Sequence, residues 1–169
     1  MEAIVYTSNT GTTKEYAKLL SDKLSLPYYS LDEIKNKVKP GGKIIYLGWI
    51  MASGVKGYKK AIKDYDVCAV GAVGMGATGT QVKEVRTKNK IPSSIPVFTL
   101  QGGFDVKKLH GIYKFMMTIM VKTAGKGLAN KQDRTQEEDQ MLEMMLHGGK
   151  YVDEKNLKAI LDWYGKRGE

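Results

Sequence analysis

The chain has a single cysteine, Cys68, so neither an internal disulfide nor a thiolate metal cage can form, and the expected compartment is the cytoplasm. Histidine is nearly as scarce. His110 and His147 are the only two, neither has a carboxylate or cysteine at ligand spacing, and a metal centre is not expected. No apolar run approaches the roughly 20 residues that a membrane-spanning helix requires. The first residues, Met1 to Tyr6, lack the basic and long apolar regions of an export signal and read as a strand. No GK[ST] triplet exists, which excludes a Walker loop, and no Ser-His-Asp or Cys-His constellation is visible. Internal repeats and low-complexity tracts are absent as well.

What remains is an ordinary globular composition. With 42% hydrophobic and 27% charged residues over 169 positions, residues 1–169 are expected to form one domain with a real core. The net charge of +9 comes from basic residues spread along the chain, which reads as a solvated lysine-rich surface. Such a field can draw in nucleic acid, anionic lipid headgroups or an acidic protein. No nucleic-acid partner is expected.

Short β-rich runs alternate with helical spacing. Strands are predicted at 3–7, 26–31, 43–48, 67–73 and 95–100, and helices at 14–24, 55–65 and 81–89. Four of the strands are continuously apolar, as strands buried on both faces are. The alternation predicts an α/β fold: a doubly wound, five-stranded parallel sheet in the order 2-1-3-4-5 with helices on both faces. In that architecture ligands bind beyond the carboxyl ends of the central strands. The segment 111–152 reads as an added helical extension, and Asp153 is expected to cap a closing amphipathic helix that runs to Tyr164.

Between the first strand and the first helix lies Ser8-Asn9-Thr10-Gly11-Thr12-Thr13. A helix start offers unpaired N–H groups and the positive end of the dipole, which together favour an anion. Ser8, Thr10, Thr12 and Thr13 add hydroxyl donors, and Gly11 permits close approach or positive φ. A helix cap needs one such residue, so four hydroxyls and a glycine in six positions predict a phosphate loop. No lysine or arginine lies within the loop, which suits a phosphate monoester held by neutral donors.

Residues 4–20 read Ile4-Val5-Tyr6-x-Ser8-x-x-Gly11-x-Thr13-x-x-x-Ala17-x-x-Leu20, which resembles the N-terminal signature of the flavodoxin family. The similarity in element order extends to about Thr99. It implies flavin mononucleotide (FMN) as cofactor and one- or two-electron redox chemistry, with the flavin rather than a side chain carrying the reaction. It also implies that two further loops hold the flavin ring: Trp49-Ile50-Met51-Ala52-Ser53-Gly54 after the third strand, and Gly74-Met75-Gly76-Ala77-Thr78 after the fourth. Trp49 fits either a stacking aromatic or a packing tryptophan. The second loop has no aromatic, which leaves one flavin face accessible to a substrate or partner. Residues 74–79 also match the G-x-G-x-x-G fingerprint of dinucleotide sites, but the acidic residue expected about 20 positions on is missing and the match follows the wrong strand.

The methionine-rich stretch 112–123 fits a buried helix, an adaptable exposed surface or a helix lying on an anionic bilayer, with contact through 111–126. Gly102-Gly103-Phe104, Tyr113-Lys114-x-Met116-Met117-x-x-Met120-Val121-Lys122 and Gly125-Lys126-Gly127 are similar to the C-terminal half of the flavodoxin-like protoporphyrinogen oxidases. That resemblance implies membrane association and electron transfer to a quinone, but the longer basic insertion of those enzymes is not seen in residues 80–95. Expected partners are therefore a redox protein or a small-molecule or quinone substrate. A non-redox binding module on the same fold is the alternative from another class.

Overall fold

A computed structural model describes residues 1–104, 118–119 and 121–167. Strand β1 (Ala3–Thr7) is followed by helix α1 (Thr12–Leu24) and strand β2 (Tyr28–Ser30). Then come β3 (Lys43–Met51), β4 (Gly54–Val55), α2 (Tyr58–Asp64), β5 (Asp66–Gly74), α3 (Val82–Asn89) and β6 (Val97–Gln101). The described remainder contains β7 (Gly103–Phe104), α4 (Lys126–Ala129), α5 (Gln136–His147), β8 (Gly149–Lys150) and α6 (Lys158–Gly165).

The sheet runs β2-β1-β3-β5-β6, all pairs parallel, with β4 folded back antiparallel on β3. Strand side chains alternate between two cores, as a period of two requires. Ala3, Val5, Ile44 and Tyr46 face α2 and α3 through Tyr58, Ala61 and Val85. Ile4, Tyr6, Ile45 and Leu47 face α1 through Tyr16 and Leu20, α6 through Ile160, and the turn before α6 through Leu157. Leu20, Leu157 and Ile160 are fully buried, and burial of each such side chain contributes about 1.5–3 kcal/mol.

Helix α1 forms where Tyr16, Ala17 and Leu20 share the buried face, and it ends at Ser25 in the left-handed region. Its Tyr16 hydroxyl donates to the Gln101 carbonyl at 2.5 Å and accepts from Asn156 Nδ2 at 2.7 Å. That node ties α1 to the segment entering α6. Asp153 caps this segment as its sequence position predicts, accepting from the Lys155 N–H at 2.9 Å. A turn of 3-10 helix, Glu154–Leu157, precedes α6, so the closing helix starts at Lys158.

Of the predicted stretch 112–123, residues 112–117 and 120 lie outside the described residues, as does His110. The described part has a wide helical turn at Val121–Gly125. Among the described residues no helix is long and apolar enough to cross a membrane.

Candidate functional site

Register places the three expected cofactor segments side by side. Thr7 of β1 pairs with Gly48 of β3, and Trp49 of β3 pairs with Val73 of β5. Residues 8–13, 49–54 and 74–78 thus all lie at the carboxyl ends of three neighbouring parallel strands, where parallel sheets place ligands.

Gly11 caps α1 at φ +104°, a conformation in which any other residue is strained. No side chain caps this helix start. The Gly11 N–H donates to Ser8 Oγ at 3.2 Å, curling the loop on itself. The Thr12 hydroxyl is committed elsewhere, donating to the Gly103 carbonyl of β7 at 3.1 Å. Thr13 is different: it is fully buried and its Oγ1 has no hydrogen-bond partner. Stranding it costs about 1–3 kcal/mol unless a ligand atom satisfies it. The donor set, one orphaned buried hydroxyl beside an uncapped helix start, fits a phosphate.

A cavity of about 330 Å³ opens beside the loop, on its β2 side. Ser8, Asn9 and Gly11 line it, together with Thr7, Lys14 and Asp32; Thr10, Thr12 and Thr13 do not. Asp32 is held by Lys60 Nζ at 2.7 Å, and that hydrogen bond keeps its carboxyl below the usual range. Glu33 accepts from the Ser30 hydroxyl at 2.6 Å, which depresses its carboxyl likewise.

Trp49, Ile50 and Met51 are not loop residues: β3 continues through Met51, three residues past its predicted end. A two-residue turn, Ala52 and Ser53 at φ +47° and +60°, returns the chain into β4, with Ile50 paired to Val55 and Met51 to Gly54. Two positive φ values are what a type I′ hairpin requires. Buried Asn89 of α3 clamps this hairpin: its Oδ1 accepts the Val55 N–H at 2.8 Å and its Nδ2 donates to the Ser53 carbonyl at 2.9 Å. Half-buried Trp49 carries the Lys56 ammonium over its ring, 5.7 Å from the centroid. Lys56 is fixed in turn by Tyr46, whose hydroxyl donates to the Lys56 carbonyl at 2.6 Å. That leaves the Thr7 hydroxyl to donate to Tyr46 at 2.7 Å. Burial pushes the Tyr46 hydroxyl pKa well up.

The second ring segment turns sharply after β5. Thr78 Oγ1 accepts the Gln101 N–H at 2.9 Å, and the Thr80 hydroxyl donates to the Ala77 carbonyl at 2.6 Å. Gly74, Met75, Gly76 and Ala77 stay half-exposed. The chain beyond Phe104 that continues from this end of the sheet lies outside the described residues up to 117.

Lys14, Tyr46, Lys56 and Asn89 belong to this region and were not expected there. Only Lys14 had a sequence signal, its position one residue after the hydroxyl run. Cys68 is half-buried, its thiol against the Asp66 carbonyl at 3.7 Å. Contrary to the expectation that neither histidine has a carboxylate at ligand spacing, exposed His147 has Glu143 one turn away, 3.9 Å from its Nε2. Among the described residues no group of three or more His, Cys, Asp and Glu converges. Compared with models of protein families, with characterised proteins and with solved structures, the chain matches none.

Proposed function

We propose that this chain is a cytoplasmic, flavodoxin-like redox protein that binds FMN with the flavin phosphate on residues 8–13. The observation that carries the reading is the Thr13 hydroxyl, fully buried and unpaired beside a helix start that no side chain caps. Native folds rarely strand a buried hydroxyl, and a phosphate oxygen would satisfy it together with the first-turn N–H groups. With β4 taken as a hairpin appendage, the order β2-β1-β3-β5-β6 reads as 2-1-3-4-5, the doubly wound arrangement, which supports the same reading.

Bound FMN would supply the hydride and electron chemistry that these side chains lack. Ser8, Thr10 and Thr13 would orient the phosphate. Trp49 and residues 74–78 would flank the ring and exclude water, and the absence of an aromatic at 74–78 leaves room for a substrate or partner there. Electrons would pass to a redox protein or to a small-molecule or quinone acceptor.

Purified protein is expected to release FMN on denaturation, or to quench the fluorescence of added FMN saturably. Colourless protein that leaves FMN fluorescence unchanged would sink the reading. A membrane-peripheral, quinone-linked oxidase is the second reading. It is favoured by exposed Ile119 and Leu146, with exposed Lys122 and Lys126 following the first in sequence. Co-sedimentation with anionic vesicles and quinone-dependent flavin oxidation would support that version.

A further inference from the structure

Resting on the flavin reading above, we infer that Lys14 and the cavity between the ends of β1 and β2 make this site selective for a doubly charged phosphate monoester, with the Lys14 ammonium as its counter-charge. Lys14 is the third helical residue of α1. It stands at the positive end of the helix dipole, where a cation is disfavoured and acids are the ordinary choice. The acid in that turn, Glu15, is engaged by Lys150 at 2.8 Å. The anions near Lys14 are also engaged: Asp32 by Lys60 at 2.7 Å and Glu33 by the Ser30 hydroxyl at 2.6 Å. Among the described residues Lys14 makes no direct ion pair, although its charge reaches Glu33 and helps hold that carboxyl low, and it lines the cavity with Ser8, Asn9 and Gly11.

A cation with no direct ion pair, an uncapped helix start and the orphaned Thr13 hydroxyl therefore occupy neighbouring positions at the end of one loop, the first of them facing the cavity. Each is unfavourable alone, and local conflicts of this kind concentrate at binding sites. A phosphate dianion in this cavity would pair with the first and cap the second. Unphosphorylated riboflavin relieves none. The loop hydroxyls alone recognise phosphate shape; Lys14 adds recognition of its charge.

The test compares FMN and riboflavin binding by the parent, Lys14→Gln and Lys18→Gln across a salt series, with thermal melts to confirm that each variant folds. Lys18 lies one turn on and is paired with Asp22 at 2.7 Å, so its variant controls for net charge. Loss of one charge-assisted contact should weaken FMN binding by Lys14→Gln about tenfold at low salt and flatten its salt dependence. Riboflavin affinity should not change, and Lys18→Gln should keep the parent's preference. Because the second phosphate ionisation lies near pH 6, the parent's preference for FMN should grow from about pH 5 to about pH 7, and less so in Lys14→Gln. Equal FMN affinities and salt slopes in parent and Lys14→Gln would overturn the role of Lys14 while leaving the flavin reading intact. If the parent binds no FMN, the flavin reading falls, and inorganic phosphate becomes the probe. Saturable NMR shifts at the Thr13 and Lys14 amides, lost in Lys14→Gln, would uphold the charged phosphate site, and their absence would overturn it.

Discussion

Replacing Asn89 with alanine should loosen the hairpin that carries Trp49 while leaving the rest of the sheet in place. The side chain is buried and makes three hydrogen bonds, to the Val55 N–H, the Ser53 carbonyl and the Val85 carbonyl of its own helix. Truncation strands the first two groups. A stranded buried group costs about 1–3 kcal/mol, and half-exposed Ser53 can recruit water, which puts its carbonyl at the low end. The sum is about 2–4 kcal/mol, a large part of the roughly 5–15 kcal/mol that stabilises a typical domain. For a chain of this length it corresponds to a fall in melting temperature of roughly 4–16 °C. Asn89→Asp makes a sharper comparison. It keeps an acceptor for Val55 but turns a carboxylate toward two carbonyls, so it should be at least as destabilised as alanine at pH 7. That carboxyl should titrate above the ordinary range, so the variant should regain stability relative to the parent as pH falls through its raised pKa. Urea unfolding followed by circular dichroism at pH 5 and at pH 7, on the order of one unit either side of pH 6, reads both effects. An Asn89→Ala variant within about 0.5 kcal/mol of the parent would refute the idea that this side chain holds the hairpin.

Thr13→Val removes the stranded hydroxyl at nearly constant shape. The free protein should gain about 1 kcal/mol in a thermal melt, while FMN affinity falls by roughly 1.5–3 kcal/mol; no change in either refutes the phosphate assignment. Tyr46→Phe breaks the link between Thr7 and the Lys56 carbonyl and should cost about 1–2 kcal/mol at pH 7. Burial raises the Tyr46 pKa in the folded state, so its contribution is full below the unfolded value of about 10 and is lost as pH rises above it. The parent should therefore lose more stability than Tyr46→Phe in alkaline denaturation scans. Changing Ala52 to Asn and Ser53 to Gly together supplies residues suited to two positive φ angles and should stabilise the hairpin by about 1 kcal/mol, checked by urea unfolding.

Sequence reasoning located the strands well because the buried runs at 3–7, 67–73 and 95–100 are apolar and bounded by polar or turn residues. It also located the hydroxyl-rich loop, whose chemistry is local to six positions. It failed where a conformation has no residue signature. Ala52 and Ser53 turn the chain without the Asn-Gly or Asp-Gly pair that marks a type I′ hairpin, so the residue pattern ends β3 before Trp49. Val55 pairs in β4 and Gly57 turns at φ +81°, which delays α2 to Tyr58 although apolar spacing suggests Val55. Asn89 resembles any polar helix-ending residue, because its partners lie 34 and 36 positions away. Lys14 follows the loop in sequence yet lines its cavity in space, because the first helical turn carries it back alongside Ser8 and Gly11.

The node joining Tyr16 to Asn156 has a consequence for how the chain is made. One face of the sheet is roofed by α1 and by Leu157 and Ile160, residues about 140 positions apart in synthesis. A ribosome delivers α1 early, and its inner surface can pack on β1 and β3, but the part of that sheet face under Leu157 and Ile160 stays bare until those residues emerge. Between synthesis of the last sheet strand, which ends at Gln101, and arrival of Leu157 and Ile160, the nascent chain therefore carries apolar sheet surface with no roof of its own, the kind of exposed patch on which partly folded chains associate.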